Sequence, residues 1–160
     1  MVAKRRHYAV AVTLFGYVDP EKWLRPDHPL RVIRSLVNSA LADLSSSFDA
    51  LYSPFGRESI PPERLIRALL LQAFYSIRSE RQLVERIEFD LLFRWFVGLG
   101  VDDPVWDATT FTKNRDRLLQ GDVASEFMRA LLAQPKVKGN RCLAPTLRLR
   151  SLIVPFAPLQ

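Results

Sequence analysis

The segment PPERLIRALLLQAFYSI, residues 61 to 77, constrains the fold of this chain more than any other stretch. Leu65, Ile66, Leu69, Leu70, Leu71, Phe74 and Ile77 spread nearly all round a helix of about 3.6 residues per turn, so no face is left for water. A helix of that kind is the central one, and the rest of the chain has to cover it. Prolines at its start suit a first turn, where the missing N–H had no intrahelical partner to lose. With 160 residues, 48% of them hydrophobic, the chain can bury one such core.

The covering elements read as helices as well. In LRVIRSLVNSALADL, residues 30 to 44, Leu30, Ile33, Val37, Leu41 and Leu44 recur at three- and four-residue steps and mark one face. Asp27 and Pro29 suit the first turn of that helix. SSSFDALYSPFGRES is loop-like, with Pro54 and Gly56 as breaks. Ser79 with Gln82 three residues on is a capping-box pattern opening ERQLVERIE, Asp90 can cap LLFRWFV, and Gly98 and Gly100 end it. Asp122 can cap a last helix, VASEFMRALLAQ, stopped by Pro135. AVAVTLF near the start is the one alternating stretch of any length. The expected class is all-α: a helical bundle in which residues 80 to 88, 91 to 97 and 110 to 120 form a helix-turn-helix-like tri-helical unit.

The ends of the chain have another character. MVAKRRHYAVAVTLFGYV has a basic head and a short apolar segment, but no small-residue cleavage pattern follows Phe15, so it reads as an atypical leader over 1–13 and not as a secretory signal. The helical domain is expected over 14–134, with an irregular basic tail over 135–160. No run approaches the roughly 18 apolar residues of a membrane span. Cys142 has no partner for a disulfide or a metal site, which fits a reducing cytoplasm. The net charge of +6 belongs to the tail: Glu126 is the last acid, and the six basic residues beyond it leave 17 basic against 17 acidic residues before it. Any case for nucleic acid in the body of the protein therefore rests on local placement.

That placement is found in DATTFTKNRDRLL, Asp107 to Leu119. With Thr110 as N-cap and about 100° per residue, Phe111, Leu118 and Leu119 fall on one side and Lys113 and Arg117 on the other. Asn114 lies on the flank, and Arg115 falls towards the apolar side as an ion pair or a packed stem. Lys113, Asn114 and Arg117, with Thr112 near the exposed N-terminal end, could meet a DNA duplex. Arg78 and Arg81 could hold phosphates alongside them. The plainer reading of Lys113 and Arg117 is a solvated helix face.

The strings SIRSERQL, LFRWFVGL and WDATTFTKNRDRL, within a stretch from about Leu14 to Gly139, resemble the N-terminal region of bacterial insertion-sequence DDE transposases of the IS-five group. The resemblance implies a DNA-binding helical region, engaged in DNA transposition, ahead of an RNase H-like catalytic domain. There three acidic residues hold two divalent metals for strand cleavage and joining. The first of them follows the counterpart of Lys138–Gly139, where this chain enters its acid-free tail. The expectation is thus a truncated, non-enzymatic chain without catalytic residues, metal site or cofactor, and a frameshift near Gly139 accounts for the change. The expected partner is DNA, in the form of terminal inverted repeats. The alternative is a helical self-association module, or a remnant without a role of its own, that inhibits full-length transposase by mixing with it.

Other clusters read as structural. Asp102, Asp103 and Asp107 lie in a turn and are not expected to hold a metal. Glu80, Glu85 and Glu88 share a helix with Arg81 and Arg86 as surface pairs. Phe93, Trp95 and Phe96 read as core, with base stacking a distant second. His7 and His28 lack a serine or cysteine arrangement around them.

Overall fold

A computed structural model describes residues 19–45, 48, 59–120 and 123–134. The leader with AVAVTLF, most of the 46–58 loop, the Asp122 cap, Pro135 and the 135–160 tail lie outside the described residues. Within them every regular element is a helix: α1 Pro20–Trp23, α2 Pro29–Asp43, α3 Pro62–Phe74, α4 Glu80–Phe89, α5 Leu91–Val97, α6 Ala108–Gln120 and α7 Val123–Ala133. The all-α expectation holds. No helix is long and apolar enough to cross a membrane.

The apolar segment takes the central place. α3 packs against α4, α5 and α6 together, and Leu65, Ala68 and Leu71 lose all contact with water. α2 closes on α7, and α7 on α6. All five positions read from the three- and four-residue spacing are buried, four within α2 and Leu44 at its C-cap. Phe93, Phe96 and Phe111 complete the centre with Phe48, which removes the base-stacking option for the α5 aromatics. Trp95 is buried too, with arginines stacked on its ring.

Caps follow the sequence with two corrections. Ser79 Oγ accepts from Gln82 N at 3.2 Å, and Asp90 Oδ1 accepts from Leu92 N at 2.8 Å, as the capping patterns require. Gly98 closes α5 at φ 88°, a left-handed value that glycine adopts without strain. α2, however, is capped by His28, whose Nδ1 accepts from Leu30 N at 3.2 Å, while Asp27 pairs with Arg25. α6 begins at Ala108 and not after Thr110. Asp107 supplies its cap, accepting from Thr110 N at 2.9 Å and from the Thr110 hydroxyl at 2.5 Å. These two bonds, the hydroxyl first, hold the Asp107 carboxyl below the usual carboxylate range.

Several arginines act as internal fasteners. Arg94 is 6% exposed, and its guanidinium donates to Gly100 O at 3.0 and 2.8 Å, to Glu88 O at 3.3 Å, to Ile87 O at 3.5 Å and to Asp103 O. Ile87 and Glu88 lie in the last turn of α4, whose carbonyls have no donor within the helix. Arg67 serves the end of α5 in the same way, donating to Val97 O at 3.2 Å and to Asn38 Oδ1 at 2.7 Å. Glu21 of α1 accepts from Arg31 at 2.7 Å, from Arg34 at 3.0 Å and from the Trp95 indole N–H, tying α1 to α2 and α5.

Candidate nucleic-acid interface

The site is the outer face of α6 together with the start of α4, and its orientation is fixed by contacts from distant parts of the chain. Glu80, the first residue of α4, receives Arg115 in an ion pair and the Thr112 hydroxyl in a hydrogen bond, with both charged side chains largely covered. Glu80 is therefore an inter-helix clamp, a correction to its reading as a surface partner of Arg81 or Arg86. Thr112 is correspondingly turned inward, its hydroxyl oxygen also 2.9 Å from Ala108 O. On the other flank Asn114 is 6% exposed. It accepts from the Ser59 hydroxyl just ahead of α3 and donates to Thr110 O at 2.7 Å.

The six residues assigned to DNA therefore separate. Thr112 and Asn114 are occupied by the protein itself, and neither offers a free side chain to a duplex. Arg115 is on the inner side, as its angle from Phe111 and Leu118 requires, and also bonds Asp116 at 2.7 Å. Lys113 and Arg117 project outward and have no ion pair or hydrogen bond among the described residues. Arg78 and Arg81 are exposed as well, but the geometry divides them. Arg78 lines a groove with Trp23, Tyr75 and Phe89, whereas Arg81 follows directly on the Glu80 clamp.

The sequence reading missed Thr109. It is exposed and stands four residues before Lys113, itself four before Arg117, so the three form one stripe along the helix. That i, i+4, i+8 spacing was the available signal, hidden by placing the helix cap three residues late, at Thr110 instead of Asp107. Asp116 is on the same face, but its carboxylate is drawn to Arg115.

What this arrangement can do chemically is bind an anionic surface: an exposed stripe carries one hydroxyl and two unpaired cations, on a helix held rigidly at both flanks. Carboxylates nearby are committed elsewhere. Asp103 accepts from Gly100 N at 3.1 Å and pairs with Arg64 at 3.3 Å, and Asp107 caps α6. Among the described residues no group of three His, Cys, Asp or Glu could hold a metal ion.

A family model described as a transposase domain (DUF772) matches residues 18–117, from just before α1 to the last cation of the α6 stripe. Comparison with curated proteins and with solved structures gives no match.

Proposed function

This chain belongs to the transposase domain (DUF772) family, and on that premise we propose that it is the DNA-binding N-terminal portion of an insertion-sequence transposase, acting through the outer face of α6. The supporting observation is the contrast within α6. Thr112, Asn114 and Arg115 anchor the helix, and Lys113 and Arg117 are left without partners on a face that nothing else in the described structure uses.

A duplex meeting this stripe places its phosphates against Lys113 and Arg117, with Arg81 at the edge, and each neutralised phosphate releases condensed counterions. Thr109 lies at the first turn, where a recognition helix reaches base edges. Asn114 and Thr112 act at one remove by holding the helix. Arg78 contributes less than Arg81, because it belongs to the aromatic groove. We assign no strand cleavage to the described residues, since the carboxylates around the site serve as caps and clamps.

Fluorescence anisotropy on a duplex carrying the inverted repeats that flank the coding DNA, against a scrambled duplex of equal length, tests this reading. The expected result is tighter binding to the repeat, weakening steeply with salt. Absence of binding at low salt, or equal affinity for both duplexes, overturns the assignment to element ends.

A further inference from the structure

An open groove of about 950 Å³ lies on the other side of α4, between α1, the α3–α4 turn and the start of α5. Its walls hold the most exposed aromatics of the described structure: Phe89 at 78%, Trp23 at 60% and Tyr75 at 39%. Single exposed hydrophobic residues need no explanation, but three aromatics around one groove do. Aromatic rings and arginine are the residue types that concentrate binding energy at protein interfaces. Tyr75 is set in place by its ring contact with Phe93, 4.9 Å between centroids, so part of this surface is rigid before any partner arrives.

The charges decide the kind of partner. Arg78 and Arg86 line the groove together with Glu85 and Asp90, two of each sign, so the groove has no net positive field with which to hold a nucleic-acid strand. Arg78, Arg86 and Glu85 form no ion pair within the described residues. A surface that carries unpaired charges of both signs beside aromatic anchors can set each charge against its opposite across a two-fold axis. Gln82, Glu85, Arg86 and Phe89 have the i, i+3, i+4, i+7 spacing of one helix face, which a two-fold axis would set against the same face of a second α4.

We propose that this groove is the contact surface for a second copy of this chain, forming a two-fold dimer through α4. The dimer leaves α6 free, because α6 meets α4 through Glu80, on the side away from Gln82 and Phe89. It requires no DNA, so it stands or falls independently of the α6 stripe. Where both are present, two stripes in one particle engage two DNA segments with an avidity that neither has alone.

The test is sedimentation velocity of the full chain without DNA over a wide concentration range. The wild-type chain should pass from monomer to dimer. Phe89→Ala should raise the dimer dissociation constant by about tenfold or more with an unchanged circular dichroism spectrum. Arg86→Glu makes the two charges at 85 and 86 both negative, and Glu85→Arg makes them both positive. Each variant alone should be monomeric where the wild-type chain is dimeric, and an equimolar mixture should give the heterodimer. A wild-type chain that is monomeric throughout overturns the proposal. So does a dimer indifferent to all three changes, or loss of DNA binding by Phe89→Ala with the dimer intact.

Discussion

Arg94 and Arg117 each sit within a helix and carry the same charge. At Arg94 every guanidinium nitrogen meets a backbone carbonyl, and the residue is covered. At Arg117 none of the donors is used within the described structure. The first region, around α5, spends its arginines on closing helix ends. The second, the outer face of α6, holds its cations in water with the helix beneath them fixed. A guanidinium is therefore an interface candidate only after its internal hydrogen bonds have been accounted for.

The comparison breaks most visibly at Arg94. Arg94→Ala leaves the carbonyls of Ile87, Glu88, Gly100 and Asp103 short of a donor in a covered site, and should cost roughly 3 kcal/mol or more in urea denaturation. Arg94→Lys should recover little, because one ammonium cannot span the carbonyls that the planar fork reaches. If Arg94→Ala unfolds at the wild-type urea midpoint, the fastener role is wrong.

Arg115 comes next, as the one cation of α6 that belongs with the α5 group. Arg115→Ala strands the largely covered Glu80 carboxylate and should cost about 1 to 3 kcal/mol in thermal denaturation. The double change with Glu80→Gln should cost less than the sum of the single changes, since it removes both members of the pair. Additive costs would mean that the clamp does not couple the two helices.

The α1 contact gives a smaller effect with a definite sign. The Trp95 indole N–H, followed by Arg34 and Arg31, holds the Glu21 carboxyl below its ordinary 4.5 despite some burial. A depressed folded pKa means stability that is present above the unfolded value and lost as pH falls through the folded one. Glu21→Gln should therefore be less stable than wild type at neutral pH, and the gap should close in acid below 4.5. A gap that widens in acid would reverse the assignment.

Much of this was legible in the string, and the misses share one cause. The apolar circumference of α3 and the stripe of α2 gave the core because those patterns are local, and Ser79, Asp90 and Gly98 gave their caps for the same reason. Asn114 lies on the flank as its angle requires, but its coverage was not legible because its partner, Ser59, is 55 residues away; an amide on a helix flank does not announce whether a distant hydroxyl will cover it. Glu80 looked like a surface residue for the same reason, its partners lying on α6. Arg94 did leave a local trace: a single cation within LLFRWFV, followed by glycine, has little choice but to be covered and to bond backbone. The stripe was half seen, since the 100° step separates Lys113 and Arg117 from Phe111 and Leu118, but where the helix starts depends on Asp107.

The smallest effect on stability is expected where the function is proposed. Lys113 and Arg117 touch nothing that holds the bundle together, so Lys113→Ala and Arg117→Ala should each shift stability by no more than about 0.5 kcal/mol. Their effect should appear in binding instead: weaker affinity for duplex DNA, and a salt dependence reduced by about one phosphate contact for each residue removed. Asn114→Ala is the informative control, because it lies one position from Lys113 and yet is covered. Losing its bonds with Ser59 and Thr110 should cost about 1 to 2 kcal/mol, with the salt slope of the folded protein unchanged since no phosphate contact is lost. Should Asn114→Ala fold normally and lose binding while Lys113→Ala and Arg117→Ala bind as wild type, the contact surface lies on the other side of α6. In that case the outer stripe is only a solvated face.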